Sequence, residues 1–244
     1  MADTSGEGTP HSTLPEGVVG FHAPDSLLDR RVEAEAIGYD PHDFGEGYWT
    51  GGAEGERRID RPGNQLANYF TRLLQMSGGG NVLDIGAGCG KQVFDLRQAG
   101  IDAYGCEFSV SGRHLAKERF GLELPFCDLR DKLPYDDDAF DWSYCVGVLS
   151  MIPLPLLVSA LRECFRVTRY GCLLLVMTQV GMKEFVNPHH ILALPHGGWH
   201  KAIAEAGGYN HTHILTPSGP EFGMGVRPAE FIGLFSKAPK LRFD

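Results

Sequence analysis

The chain has 244 residues, 43% of them hydrophobic, which suits one full-sized domain with its own core. It holds no run of about 18 apolar residues, as a membrane-spanning helix requires, and its 31 acidic against 22 basic residues give a net charge of −9, which removes the electrostatic footprint of general nucleic-acid binding. Six cysteines, at 89, 106, 127, 145, 164 and 172, stand without a C-x-x-C pair and are expected as buried free thiols of a cytoplasmic protein.

In chain order, residues 1–17 are rich in Gly, Ser, Thr and Pro and lack the basic start and apolar centre of a signal peptide, so a disordered tail is expected. Residues 18–61 precede the first core helix, and within them Tyr39, His42, Phe44, Tyr48 and Trp49 stand among glycines and acids. Such aromatics can fold down as a lid over a bound ligand; the plainer alternative is that Tyr48 and Trp49 pin the segment to the domain. From residue 62 onward strands and helices alternate, so 62–244 reads as one α/β domain. Pro62 opens a helix whose Leu66, Tyr69, Phe70, Leu73 and Leu74 recur at helical spacing, and Ser77-Gly78-Gly79-Gly80 ends it.

A buried strand, Val82 to Ile85, then runs into a loop with glycines at 86, 88 and 90, followed by a helix from Lys91 to Gln98 that stops at Gly100. Glycines there remove the Cβ atoms that would hold a ligand off the backbone, and the helix behind offers unpaired N–H groups to a polar or anionic ligand end. The spacing is not the G-x-G-x-x-G of dinucleotide loops, because the sixth position from Gly86 is Lys91. What stands is Asp84-x-Gly86-x-Gly88-x-Gly90. The next apolar run, Ile101 to Cys106, ends at Glu107, an acid at a strand tip that can accept both hydroxyls of a ribose.

A third run, Leu124 to Cys127, ends at Asp128. Residues 133–141 (Leu-Pro-Tyr-Asp-Asp-Asp-Ala-Phe-Asp) lead into a strand from Trp142 to Val148, and the acids Asp136, Asp137 and Asp138 read as a solvated turn rather than a metal cluster. A helix from about Pro155 carries Leu157, Ala160, Leu161, Cys164, Phe165 and Thr168 on one face, and the strand-like run Gly171 to Val176 follows. Asn187-Pro188-His189-His190-Ile191 leads to a helix with Trp199, Ala202, Ile203 and Ala206 that stops at Gly207-Gly208. The closing runs, His211 to Thr216 and Phe231 to Ser236, have no helix between them and are expected to pair antiparallel. Neither His196-x-x-x-His200 nor His211-x-His213 has nearby Cys or acid partners, so no metal is expected.

Together these features resemble the class I S-adenosylmethionine-dependent methyltransferases. Asp84 to Gly90 is similar to the family's first motif, and residues 133–141 to its "LPF-x-D-x-S/A-FD" approach to strand four. Leu161 to Val167 with Gly171 to Val176 is similar to its "LREC-x-RVL-x-PGG-x-LLV" segment, with Arg169-Tyr170-Gly171-Cys172 in place of the usual Lys-Pro-Gly-Gly. The resemblance implies a Rossmann-like sheet of seven strands, mostly parallel with a C-terminal antiparallel hairpin, and helices on both faces. It implies S-adenosyl-L-methionine as cofactor, held by Asp84, Gly86, Ala87, Gly88 and Gly90 of the loop, by Glu107 and Phe108 at the ribose, by Asp128 at the adenine amino group with Leu129 beside it, and by Val146. Lys91 is open to two roles, meeting the methionyl carboxylate or lying on the surface, and Cys89 to filling a small space or acting as a reactive thiol.

A narrower resemblance is to bacterial class I enzymes encoded with polysaccharide or secondary-metabolite genes, which carry "Y-F/W-x-x-G", an "ER" pair and "D/E-P-T-H-I/V-N" followed by a Trp. Here the corresponding residues are Tyr48-Trp49-Thr50-Gly51-Gly52, Glu56-Arg57, His190-Ile191 and Trp199, with departures at Asn187 and His189. The resemblance implies His190 as the general base at the acceptor, and Tyr48, Trp49 and Trp199 as substrate or lid residues. Strand four continues as Val146-Gly147-Val148-Leu149, without the Asn/Asp-Pro-Pro-aromatic motif of amino-methylating DNA enzymes. The expectation is therefore an enzyme that methylates a small molecule, preferably a hydroxyl of a sugar or secondary metabolite, as a monomer or homodimer with no nucleic-acid or membrane partner. N- or C-methylation is the alternative within the class, and a non-catalytic scaffold that keeps the cofactor fold is the alternative outside it.

Overall fold

The computed structural model describes residues 40–50, 64–177, 192, 194, 196–212 and 230–242. In chain order these form α1 (Glu46–Thr50), α2 (Asn64–Met76), β1 (Asn81–Ile85), α3 (Lys91–Gln98), β2 (Asp102–Cys106), α4 (Val110–Phe120), β3 (Phe140–Val146), α5 (Leu157–Arg166), β4 (Thr168–Met177), α6 (His196–Glu205), β5 (Tyr209–Asn210) and β6 (Glu230–Ser236). The sheet runs β2-β1-β3-β4-β6-β5. Its first four strands are parallel, and β6 lies antiparallel between β4 and β5.

The two-residue period of a strand sends alternate side chains to opposite faces, and here both faces are covered. Val82, Trp142, Tyr144 and Leu173 point into a core with Phe70 and Leu73 of α2, Val93 and Leu96 of α3 and Ala116 of α4. Leu83, Ile85, Cys145, Cys172 and Leu174 point the other way, into a core with Leu157, Leu161 and Phe165 of α5 and Trp199 and Ile203 of α6. All six cysteines are buried and free, as their isolated spacing suggests.

The count of seven strands is not what the described residues show; there are six. The expected third strand, Leu124 to Cys127, is reduced to one parallel bridge, Glu107 with Phe126. Its ladder consists of Glu107 N–H to Pro125 O (3.0 Å) and Cys127 N–H to Glu107 O (3.2 Å). Pro125 has no N–H to extend it, which is why a proline run at a sheet edge stays irregular. The strand expected from His211 is instead Tyr209–Asn210, which ends before it, and residues 213–216 lie outside the described part.

The acidic turn at 136–138 is held structurally. Arg166 Nη1 donates to Tyr135 O (2.7 Å) and Asp137 (2.9 Å), Nη2 donates to Leu133 O (3.0 Å), and Lys237 pairs with Asp138. No group of three potential metal ligands occurs among the described residues, and none of their helices is long and apolar enough to cross a membrane.

Candidate active site

The carboxyl ends of the four parallel strands open on a cavity of ≈ 340 Å³, the place where a doubly wound sheet leaves its ligand crevice. Asp84, Gly86, Ala87, Gly88, Glu107, Phe108, Asp128, Leu129, Val146, Tyr48 and Trp49 all line it, so sequence positions spread over about a hundred residues converge there.

The glycine loop is tied to the tip of β2. Gly86 and Ala87 N–H groups donate to Cys106 O (3.0 and 2.9 Å). Gly88 adopts φ +57, and a Cβ on it would lie 2.7 Å from the Trp49 ring, so the indole packs flush against bare backbone. Gly90 serves a different contact from the one expected. It does not line the cavity; a Cβ there would meet Leu122 at 2.9 Å and Ala116 at 3.0 Å, so its bareness lets α4 and the following loop pack against the turn.

Glu107 is buried, with Oε2 accepting Gly88 N–H (2.6 Å) and Oε1 accepting Ser109 N–H (2.7 Å). A carboxylate offers about four lone pairs, so about two remain, one on each oxygen, for an adjacent pair of hydroxyls. Burial pushes its pKa up, while the N–H donors and the charge of Arg113 hold it back. Asp84 is also buried, and burial raises its pKa to about 8; the neighbouring Tyr144 hydroxyl opposes the rise and the Glu107 charge adds to it. Two acids so close to one wall favour a ligand that brings positive charge and hydroxyl donors.

Asp128 is engaged differently. Arg130, also in the cavity wall, shares its Nε–H between Oδ1 (3.0 Å) and Oδ2 (3.1 Å) and donates Nη2 to Oδ2 (2.7 Å) and its backbone N–H to Oδ1 (2.9 Å). Lys91 lines the cavity but is paired with Asp95 one turn further along α3. Burial raises the Cys89 thiol above its usual range, which favours the space-filling reading over a reactive thiolate.

Above the loop, Phe44, Tyr48 and Trp49 form an aromatic wall with edge-to-face contacts (ring centroids 5.1 and 4.8 Å apart). The segment is fastened to the start of α4, because Val110 N–H donates to Pro41 O (3.0 Å) and the Ser109 hydroxyl to Phe44 O (3.2 Å). Trp199 is placed elsewhere. It is fully buried in the α5–α6 core and does not line the cavity, which corrects the substrate or lid role expected of it; an amphipathic helix turns its largest apolar side chain to the core. His189, His190 and Asn187 lie outside the described residues.

Arg130, Gln92, Met151 and Ile152 were not singled out in the sequence. The spacing of Arg130 from Asp128, two residues along, was the one local signal available. Met151 and Ile152 sit in and after a short 3-10 turn that carries no pattern of its own.

Residues 82–171 match the methyltransferase-domain family. The chain thus carries a methyltransferase domain over these residues. It is 30% identical over 179 residues to the methyltransferase GfsG of Streptomyces halstedii, a match spanning 70% of this chain and 60% of that relative's length. Among solved structures it is similar to the CcbJ methyltransferase of Streptomyces caelestis (12% identity, TM-score 0.59, 81% of this chain and 99% of that one). It is also similar to an S-adenosylmethionine-dependent methyltransferase of Archaeoglobus fulgidus (13% identity, TM-score 0.52, 74% and 96%). The site fits the cofactor of this family: two spare acceptor positions on Glu107, one on Asp128, and a buried acid, Asp84, beside bare loop backbone.

Proposed function

We propose that the chain transfers the methyl group of S-adenosyl-L-methionine to a hydroxyl of a small acceptor of natural-product type, such as a sugar or polyketide. The observation that carries this is the convergence of Asp84, Glu107 and Asp128 around one cavity closed by Phe44, Tyr48 and Trp49. When bound, the cofactor supplies an electrophilic methyl on a sulfonium centre. Glu107 takes the ribose hydroxyls, Asp128 the base, and Asp84 balances positive charge at the methionyl end. The aromatic faces above the loop suit a sulfonium and exclude water. An in-line displacement needs little more than two reactants held in register, so positioning supplies most of the rate.

On the acceptor side, Val148, Met151, Ile152 and Leu175 line the cavity. Leu192 N–H donates to Ser150 O (2.9 Å), which fastens the chain two residues after His190 beside Met151. That supports His190 as the base that takes the acceptor's proton, a role imidazole suits near neutral pH.

The test is calorimetric titration with the demethylated product, S-adenosyl-L-homocysteine, followed by methyl-donor turnover over glycosylated and phenolic acceptors. Binding with methylation of a hydroxyl is expected. Methylation of an amine or carbon would replace the O-methyl reading alone, and a folded protein that binds neither donor nor product would overturn the whole assignment.

A further inference from the structure

We propose that Arg130 sets which base the cavity accepts, by aiming Asp128; the inference rests on the reading that the site takes an adenosyl ligand. Three observations carry it. The first is the fork: three Arg130 hydrogens reach Asp128, the backbone N–H on Oδ1, an Nη2 hydrogen on Oδ2 and the Nε hydrogen shared between both oxygens. A carboxylate accepts about four hydrogens, so these three leave Asp128 room for about one more donor.

The second is that the guanidinium is itself held in plane. It lies over the Phe108 ring, 4.9 Å from the centroid. Phe108 rests on Phe126 (5.8 Å), and Arg113 covers Phe126 in turn (5.5 Å). This stack of Arg130, Phe108, Phe126 and Arg113 leaves the fork little freedom, so the Asp128 carboxylate is held in one orientation.

The third is burial. The Asp128 and Arg130 side chains are only 12% and 15% exposed, so water is a poor substitute partner for either. An acceptor fixed in such a place accepts a 6-amino base and meets a 6-oxo base with oxygen facing oxygen. Selection of the base is thereby a property of the pair, with Asp128 making the contact and Arg130 acting as a positioning residue.

The experiment compares dissociation constants for S-adenosyl-L-homocysteine and its 6-oxo counterpart, S-inosyl-L-homocysteine, in the wild-type chain, Arg130→Met and Arg130→Lys. The wild type should prefer the 6-amino ligand by about 10- to 100-fold. Arg130→Met, which keeps the bulk on Phe108 but loses the fork, should bring that preference to within about 3-fold, and Arg130→Lys should restore part of it. If Arg130 only stabilises the fold, both ligands weaken together and the ratio stays at the wild-type value, which overturns the inference. A wild-type chain that binds neither ligand overturns the underlying cofactor reading instead. Should Arg130→Met fail to fold, Arg130→Gln serves the same comparison.

Discussion

Glu107 Oε2 accepts the Gly88 N–H at 2.6 Å, which ties the tip of β2 to the middle of the glycine loop. One residue therefore shapes the loop and, in the proposed function, holds the ribose. The two roles are compatible because each N–H donor uses one position on its oxygen and leaves the other open.

Glu107→Ala should weaken binding of S-adenosyl-L-homocysteine by about 1.5–3 kcal/mol, the scale of hydrogen bonds to a charged group. Glu107→Gln should be no milder, because its amide must point NH₂ at either the Gly88 or the Ser109 N–H, donor against donor. Calorimetry reads both variants, and wild-type affinity in Glu107→Ala would count against the site.

Asp84 makes the free chain sensitive to pH. With its pKa raised to about 8, the folded chain keeps a proton that the unfolded chain releases near pH 4. The stability contributed by this protonation is full below about pH 4 and is lost as pH rises through about 8. Asp84→Asn should accordingly melt at a higher temperature than wild type at pH 9, with the difference shrinking steadily as pH falls toward about 4. A cationic ligand end favours the ionised form, so ligand binding at pH 7 should release a proton from wild type and not from Asp84→Asn. Calorimetry in buffers of differing ionisation enthalpy measures that proton directly.

Trp49 should report closure of the aromatic wall. Trp142 and Trp199, the other two tryptophans of the chain, are fully buried in the cores, so a fluorescence change on ligand binding should come from Trp49 and vanish in Trp49→Phe. Residues 40–50 should gain protection from hydrogen exchange in the same experiment. Equal protection with and without ligand would make the segment a fixed strap, consistent with its fastening to Ser109 and Val110.

His190→Ala should lower turnover by about 10²–10⁴-fold with cofactor affinity nearly intact, and His189→Ala should do much less. Single-turnover kinetics with calorimetry separates the two effects. Full turnover by a stable His190→Ala protein would remove the base and leave positioning alone.

The amino-acid sequence sufficed for the strand–loop–helix at 81–98 and the acids at 84, 107 and 128, because those signals are local: apolar runs, glycine spacing and an acid at each strand end. It also determined the alternation of strands and helices, and with it the parallel sheet. Relations across distance in the chain came from the folded structure alone. The docking of Trp49 on Gly88, the burial of Trp199 against α5, the use of Gly90 for packing on α4 and the pairing that fixes Asp128 all depend on which surfaces meet once the sheet is covered. A residue's periodicity shows that it faces a core, whereas only the fold shows whether that core or the ligand cavity is its neighbour. The same limit explains the third strand: Leu124 to Cys127 has strand composition, but Pro125 at a sheet edge leaves it one bridge.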